Sequence, residues 1–326
     1  MLRLVTTICL IGLALAGCGS GSSDRPNAEA TLLLDFTPNG VHAGIFLATA
    51  RGYDEAEGVE LDVKTPSAST DALRLLQGGR ADMAILDIHD LGLARQQDRD
   101  IVGVMALVQR PLASVLAQPD VARPRDLEGG RAGVTGLPSD VAVLRSVVAG
   151  DGGDPDRVRT ITIGFEAVRA MLAHRVDAAT AFWNVEGVAL RERRPDTREF
   201  RVDDFGAPAY PELVLCVTRV TLENDRPVVA ATIRALQRGY TQAQTDPESA
   251  VTALVDADSG LDRAAAAAQL DAVAPDFTAG ALAYGQLRPD VLRKWAAWDL
   301  EFGILDRPLD VQRAFDFGLV GRVANP

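Results

Sequence analysis

The segment from Leu32 to Val63 has the pattern of a strand, a helix and a second strand, and it limits the fold more than any other part of the chain. Three leucines at 32–34 lead into the polar turn DFTPNG, and a helical pattern of apolar residues follows. Gly52 ends this predicted helix, and residues 59–63 alternate between apolar and polar side chains. The segment predicts an α/β fold, in which ligands bind where strands end and helices begin.

The N-terminus has the features of an export signal followed by a lipid-attachment site. Arg3 precedes an apolar run at residues 4–16, which is too short to span a bilayer as a helix but is typical of a secretory signal. The run ends in LAGC, and a small-residue stretch that closes on a cysteine resembles the lipobox of bacterial lipoproteins. We expect residues 1–17 to be removed, Cys18 to carry the lipid that anchors the protein to the membrane, and residues 18–30 to form a flexible tether. An ordinary signal peptide is the alternative.

Charge and cysteine content exclude several classes of function. The formal net charge of −12 argues against a nucleic-acid partner and against a polybasic membrane patch. Cys216 lies in an apolar strand pattern, and neither a histidine nor an asparagine is near it in sequence. It therefore predicts a buried hydrophobic side chain rather than a catalytic thiol. The chain has only three histidines, which argues against a catalytic metal centre.

A partial repeat predicts two similar lobes. Residues 71–84 (DALRLLQGGRADMA) align without gaps with residues 166–179 (EAVRAMLAHRVDAA). Each copy follows a strand, a turn that contains proline, and a helix, which favours duplication over the alternative of chance agreement between two Ala/Arg-rich helices.

The connections between these copies predict how the lobes are divided. A polar, proline-marked segment at 118–125 opens onto the second lobe, and the strand pattern at 212–218 can carry the chain back. Two hinge crossings between α/β lobes enclose a ligand cleft, and the helical C-terminal part packs on the first lobe. The predicted boundaries are residues 31–115 plus 217–326 for lobe 1 and residues 116–216 for lobe 2.

Three groups of side chains are candidates for the cleft. The opening turn supplies Asp35, Phe36, Asn39 and His42; His42 either contacts the ligand or caps the turn. The second group is the loop that holds Gly136, Ser139 and Asp140, whose N–H groups can hold an anion, although serine and aspartate are also common at helix starts. The third group is Trp183, Asn184 and Glu186, which can stack on a flat ring and bond its edge, although Trp183 fits a core position equally well. Asp87 and His89 follow the strand at 81–86 and are further candidates.

These motifs resemble the solute-binding lipoproteins of ABC importers in the thiamine-pyrimidine-precursor group. The resemblance lies in DFTPNGVHAGIFLATARGYDEAEGVELDV, GGRADMAI, LEGGRAGVTGLPSD and RVDAATAFWNVEG, and it extends from Thr31 to about Phe302. Related proteins are the alkanesulfonate, taurine and nitrate binding proteins and the fungal thiamine-pyrimidine synthase. The resemblance implies an exported, lipid-anchored protein with a type II periplasmic-binding fold, which delivers a small ligand to an ABC permease and its ATPase.

The resemblance also implies roles for individual residues. Phe36 and Trp183 would stack on an aminopyrimidine ring, and Asn39, His42 and Glu186 would hydrogen-bond to it. The group's loop at the head of a helix corresponds to residues 136–140, and Asp87 would line the same cleft. We expect a monomer without a cofactor. We also expect that the protein is not an enzyme, because Leu86 stands where the synthase has its lysine. Alkanesulfonate, taurine, nitrate or a riboflavin-like molecule is the alternative ligand.

Overall fold

Two five-stranded sheets, one in each of two α/β lobes, form the framework of the protein. A computed structural model describes residues 28–68 and 71–320, so the predicted signal peptide, Cys18 and most of the predicted tether lie outside the described residues. The strands in the described part are β1 (Ala28–Leu33), β2 (Val59–Lys64), β3 (Met83–Asp87), β4 (Ile101–Ala106), β5 (Ala113–Ala117), β6 (Arg131–Val134), β7 (Arg159–Thr162), β8 (Ala178–Phe182), β9 (Arg198–Arg201) and β10 (Leu213–Thr218). The α-helices there are α1 (Ala43–Ala50), α2 (Tyr53–Ala56), α3 (Asp71–Gln77), α4 (Ile88–Gln96), α5 (Pro138–Gly150), α6 (Ala167–Leu172), α7 (Glu186–Arg193), α8 (Arg219–Asn224), α9 (Arg226–Thr245), α10 (Pro247–Ala257), α11 (Arg263–Val273), α12 (Pro289–Glu301) and α13 (Val311–Ala314).

The two sheets have the same strand order and the same pattern of directions. Lobe 1 has the order β2-β1-β3-β10-β4, and lobe 2 has the order β7-β6-β8-β5-β9. In each sheet the first three strands are parallel, and the fourth is antiparallel to both of its neighbours. The segments 71–84 and 166–179 occupy equivalent places, as a helix before the third strand of each sheet. This correspondence supports the predicted duplication.

Strand pairing moves the predicted lobe boundaries. The chain leaves lobe 1 between β4 and β5 and returns between β9 and β10, which confirms an α/β fold with two lobes. Because β5 pairs within the second sheet, lobe 2 begins before Ala113 rather than at residue 116. Because β10 pairs within the first sheet, lobe 1 resumes at Leu213 rather than at residue 217. The predicted tether is also too long, since β1 begins at Ala28.

The C-terminal helices pack on lobe 1, as predicted. Helix α9 approaches α1 so closely that a Cβ atom added at Gly239 would lie 2.1 Å from the carbonyl oxygen of Gly44. The Tyr240 hydroxyl donates to the carbonyl of Val41 over 2.7 Å. Among the described residues, none of these or the other helices combines the length and apolar character required to cross a bilayer.

The opening unit folds as its pattern predicts. Strand β1 is followed by a 3₁₀ turn at Gly40–His42, then by α1, and β2 pairs in parallel with β1. Gly52 lies just beyond α1 with a φ of 62°, a left-handed conformation that favours glycine, so the predicted helix end is confirmed. Cys216 is fully buried in β10, and burial raises the pKa of its thiol well above the usual range. Its predicted role as a small hydrophobic core residue is confirmed.

Candidate functional site

A cavity of about 110 Å³ lies between the two lobes, beside the carboxyl ends of β1, β3 and β8. Lobe 1 contributes the opening turn and the start of α4, and lobe 2 contributes the start of α5, the turn before α6 and the start of α7. Its polar and aromatic lining residues are Asp35, Phe36, Asp87, His89, Asp90, Ser114, Thr135, Ser139, Asp140, Phe165, Thr180, Phe182, Glu186 and Glu212. The two halves of the site therefore come from equivalent positions in the two lobes.

The cavity is strongly acidic. Six carboxyl side chains line it, and the described lining residues include neither lysine nor arginine. Burial raises the pKa of Glu186 to about 7 and, with Asp140 adding repulsion, the pKa of Asp90 to about 6. Burial also raises the pKa of Asp140. Such a surface repels anions and offers hydrogen-bond acceptors to a ligand that carries N–H groups.

Aromatic side chains from both lobes meet at this cavity. Phe36 of lobe 1 and Phe165 of lobe 2 make an edge-to-face contact, with ring centroids 4.5 Å apart and an interplanar angle of 86°. Phe182, at the end of β8, is a third aromatic lining residue. Phe36 thus lies where the sequence predicted it, whereas Phe165 was not anticipated. Exposed for 39% of its surface, Phe165 is among the most exposed large apolar residues of the described chain.

His42 holds Asp35 in place rather than lining the cavity. The backbone N–H of Asn39 donates to His42 Nδ1 at 3.3 Å, so Nε2 carries the proton and donates to Asp35 Oδ1 at 2.8 Å. The Asn39 side chain accepts from the N–H of Val41 as the cap of the 3₁₀ turn. Both residues are buried outside the cavity lining, so the structure does not bring them into ligand contact as expected. Asp35 of the same turn lines the cavity instead.

The loop at the head of α5 presents a carboxylate. Asp140 Oδ2 accepts from the backbone N–H of Thr135 at 2.8 Å and from the Thr135 hydroxyl. Ser139 and Asp140 line the cavity as predicted, but Gly136 is exposed outside the lining, with a φ of 105°. The expected anion-binding character of this loop is opposed by the Asp140 side chain, which would repel an anion there.

Trp183 lies in the core beside the chain crossing, which corrects its expected stacking role. The indole is 2% exposed, its Nε1 donates to the carbonyl of Pro111 at 3.0 Å, and the Arg201 guanidinium lies 3.8 Å from the ring centroid. Asn184 is also fully buried outside the cavity lining, and its amide has no hydrogen-bond partner among the described residues. Of this predicted group, only Glu186 reaches the cavity, where its Oε2 accepts from the backbone N–H of Phe182 at 3.2 Å.

A buried charged network supports the floor of the cavity. His89 Nδ1 lies 2.9 Å from Asp299 Oδ2, and its Nε2 lies 3.1 Å from the Tyr210 hydroxyl. Burial disfavours the charged imidazolium, but Asp299, Asp87 and Glu212 outweigh that penalty and raise the pKa of His89 to about 10. Asp87 caps α4 by accepting from the N–H of His89 at 2.8 Å. Asp87 and His89 thus both line the cavity, and the carboxyl groups around His89 favour its protonated form.

The same network is the one candidate metal cluster among the described residues. Ligand atoms of Asp87, His89 and Glu212 lie within 4.8 Å of one another. Both His89 nitrogens already have partners, so the imidazole has no free lone pair for a metal unless the network rearranges.

Sequence reasoning missed Asp90 and Glu212. Asp90 follows Asp87 by three residues and therefore points to the same side of α4, which was a usable signal. Glu212 precedes the apolar strand β10, and nothing local indicates that it reaches the cavity. Its Oε2 accepts from the N–H groups of Leu112 and Ala113 at 2.6 and 2.8 Å. Glu212 thereby links the two chain crossings at the base of the site.

Comparison with known proteins places this fold in a family. The profile described as "NMT1/THI5 like" matches residues 39–250, which is more than half of the chain. The chain belongs to the NMT1/THI5-like family. A formylaminopyrimidine-binding protein from Halalkalibacterium halodurans is 32% identical over 256 residues, which cover 77% of this chain and 78% of that protein. The resemblance expected from the opening motif is therefore confirmed.

The family also contains enzymes, and its fold is that of periplasmic binding proteins. A 4-amino-5-hydroxymethyl-2-methylpyrimidine phosphate synthase from Legionella pneumophila is 23% identical, with 71% of this chain and 74% of that protein covered. The alkanesulfonate-binding protein SsuA from Xanthomonas axonopodis pv. citri, bound to MOPS, superimposes with a TM-score of 0.71 at 17% identity. The match covers 88% of this chain and 98% of that one, and it confirms the predicted fold class.

Proposed function

We propose that this NMT1/THI5-like protein is the solute-binding component of an ABC importer and captures a small heteroaromatic ligand between its lobes. The favoured ligand is a pyrimidine precursor of thiamine. The observation that carries this proposal is the lining of the cavity, which combines three phenylalanines, Phe36, Phe165 and Phe182, with six carboxyl groups. An aminopyrimidine matches this lining, because its flat faces suit aromatic side chains and its amino group donates to carboxylates.

The cavity argues against the alternative ligands. Sulfonate and nitrate are anions; among the described lining residues six carboxyl groups outnumber the one cation, His89, and neither lysine nor arginine is present to compensate the ligand charge. The cavity volume of about 110 Å³ is comparable to the roughly 150 Å³ of an engineered cavity that binds benzene, so it suits one ring better than the three fused rings of a flavin.

The site also favours binding over catalysis. A synthase function would require a lysine at the position of Leu86, and the chain has lysine only at positions 64 and 294. Leu86 itself is an apolar lining residue. We therefore propose a protein that binds and releases its ligand unchanged, exported and tethered to the membrane through Cys18.

A ligand panel tests the proposed function. Calorimetry and thermal shift with 4-amino-5-hydroxymethyl-2-methylpyrimidine, its formylaminomethyl analogue, taurine and riboflavin should show binding of the pyrimidines, with micromolar or tighter affinity and a raised Tm. Binding of taurine without heat or stabilisation from either pyrimidine would refute the assignment.

The membrane anchor requires a separate test. Cys18→Ser should release the protein from the membrane fraction, whereas Cys9→Ser, within the expected signal, should not. Equal membrane retention of both variants would exclude Cys18 as the attachment point.

A further inference from the structure

Carboxyl groups from opposite lobes face one another across the cavity. Asp35 and Asp90 belong to lobe 1, Asp140 and Glu186 belong to lobe 2, and Glu212 lies at the return crossing. Their mutual repulsion adds to the effect of burial, because Asp140 raises the pKa of Asp90, and both Asp140 and Asp35 raise the pKa of Glu186. Closing the lobes on a neutral ligand would leave this repulsion in place.

Several acceptor atoms at the site lack a protein donor. Glu212 is fully buried, and its Oε1 has no hydrogen-bond partner among the described residues. The nearest cation to that oxygen is His89, whose Nε2 lies 3.9 Å away. Asp90 has no side-chain hydrogen bond in the described part of the chain, and Asp35 uses only Oδ1, for His42. A buried acceptor without a donor is costly, so Glu212 Oε1 indicates that its missing donor belongs to the ligand, whereas the free oxygens of Asp90 and Asp35 are only partly buried.

We propose that the cavity binds its pyrimidine as a cation, protonated on a ring nitrogen and paired with Glu186. This inference rests on the proposed function and adds the charge state of the ligand. A protonated ring nitrogen presents an N–H group that donates a charge-assisted hydrogen bond to a carboxylate, and the amino group supplies further N–H donors. Asp35 and Asp90 then face the same cation from lobe 1, so that its single positive charge reduces the repulsion between carboxyl groups of the two lobes.

The proton on the bound ring comes from Glu186 or from solvent. The lone pair of the ring nitrogen accepts a proton from the Glu186 carboxyl group where that group is protonated, and from solvent where it is ionised. No other bond forms or breaks, and release reverses the transfer. The titratable groups around the ligand are those that line the cavity: Asp35, Asp87, Asp90, Asp140, Glu186, Glu212 and, as a cation, His89. Six carboxyl groups against one imidazolium favour protonation of a ring held among them.

Nitrogen NMR of the bound ligand tests the charge state. The probe is 4-amino-5-hydroxymethyl-2-methylpyrimidine labelled with ¹⁵N in the ring, measured at pH 8, where the free ring is neutral. We expect the bound ring nitrogen to resonate at the position of the protonated form, reached by the free compound only in acid. A bound resonance at the neutral position would overturn the cationic ligand while leaving pyrimidine binding intact. Absence of binding would instead refute the proposed function.

A matched pair of substitutions tests the counter-ion. Glu186→Gln should weaken binding about 10–100-fold and return the ring nitrogen to its neutral position, because a charge-assisted hydrogen bond is lost. Glu192→Gln, on the exposed side of the same helix, should change neither quantity. Unchanged affinity in Glu186→Gln, with the bound ring still protonated, would exclude Glu186 as the partner.

A second substitution tests the contribution of lobe 1. Asp90 has no side-chain hydrogen bond among the described residues, so Asp90→Asn should fold normally, as urea unfolding would verify. It should nevertheless weaken the pyrimidine several-fold, because one negative charge facing the cation is removed. Tighter binding of the pyrimidine to Asp90→Asn would show that the cavity prefers a neutral ring and would overturn the inference.

Discussion

Replacing His42 by alanine should destabilise the protein and weaken ligand binding only through Asp35. The imidazole is fully buried, donates to the Asp35 carboxylate and accepts from the backbone N–H of Asn39. Removal leaves a void and an unpaired N–H group, which together cost about 2–5 kcal/mol of the free energy of unfolding. The lost hydrogen bond to Asp35 should account for about 1.5–3 kcal/mol of this destabilisation, which is the usual contribution of a hydrogen bond to a charged group.

A double-mutant cycle isolates that part. Urea unfolding of His42→Ala, Asp35→Ala and the double variant should give a coupling energy of about 1.5–3 kcal/mol. The exposed pair of Asp62 and Lys64, with side chains 57% accessible and 2.8 Å apart, is the control and should give less than about 1 kcal/mol.

The same variants decide whether His42 touches the ligand. If it acts through Asp35, adding His42→Ala to Asp35→Ala should cause no further loss of pyrimidine affinity in calorimetry. An equal loss in both backgrounds would refute the positioning role and restore the direct contact that the sequence suggested.

Three further substitutions test packing, closure and charge. Gly239→Ala should lower the free energy of unfolding, measured with urea, by more than about 1 kcal/mol, because its Cβ would meet the Gly44 carbonyl oxygen at 2.1 Å. Helix propensity alone would stabilise the variant, so an unchanged free energy of unfolding would contradict the close approach of α9 and α1. Phe165→Ala should accelerate ligand release in stopped-flow measurements, because it removes an aromatic contact between the lobes. The free energy of unfolding should change by no more than about 0.5–1.5 kcal/mol, since the position is half-exposed. An unchanged release rate would exclude a role of Phe165 in closing the lobes. Burial raises the pKa of Glu186 to about 7, so the folded protein keeps a proton that the unfolded chain loses from about pH 4.5 upward. Stability should therefore fall by at most about 3 kcal/mol between roughly pH 5 and 7, and Glu186→Gln should remove this part of the slope in urea titrations, whereas parallel pH profiles for both proteins would contradict the shift.

Local periodicity was sufficient to predict the framework of the fold. The alternation at residues 59–63 and the glycine at 52 depend on backbone geometry within a few residues, so the strand and the helix end follow directly. The segment at 166–179 predicted a second lobe because it repeats the local pattern of residues 71–84. Boundaries were less accurate, because only pairing shows that β5 belongs to the second sheet and β10 to the first.

Side-chain direction was the main limit on predicting the site. Successive side chains at the end of an extended strand point to opposite sides, so Phe182 faces the cavity while Trp183 enters the core beside Pro111. The sequence shows both aromatic residues but not which of them faces the ligand. Glu212 was missed because its position depends on contacts with Leu112 and Ala113, about 100 residues away in the chain.

The position of β10 in the first sheet has a consequence for the order of folding during synthesis. In this sheet β10 lies between β3 and β4, and these two strands are joined only through it. All of lobe 2 is synthesised before residue 213, so until β10 emerges the first sheet is incomplete and β3 and β4 each have an unpaired edge. Lobe 2, which is continuous from β5 to β9, can complete its own sheet in the meantime. The lobe made first in sequence is thus the last to be finished, and its open edges are where aggregation of the nascent chain should begin.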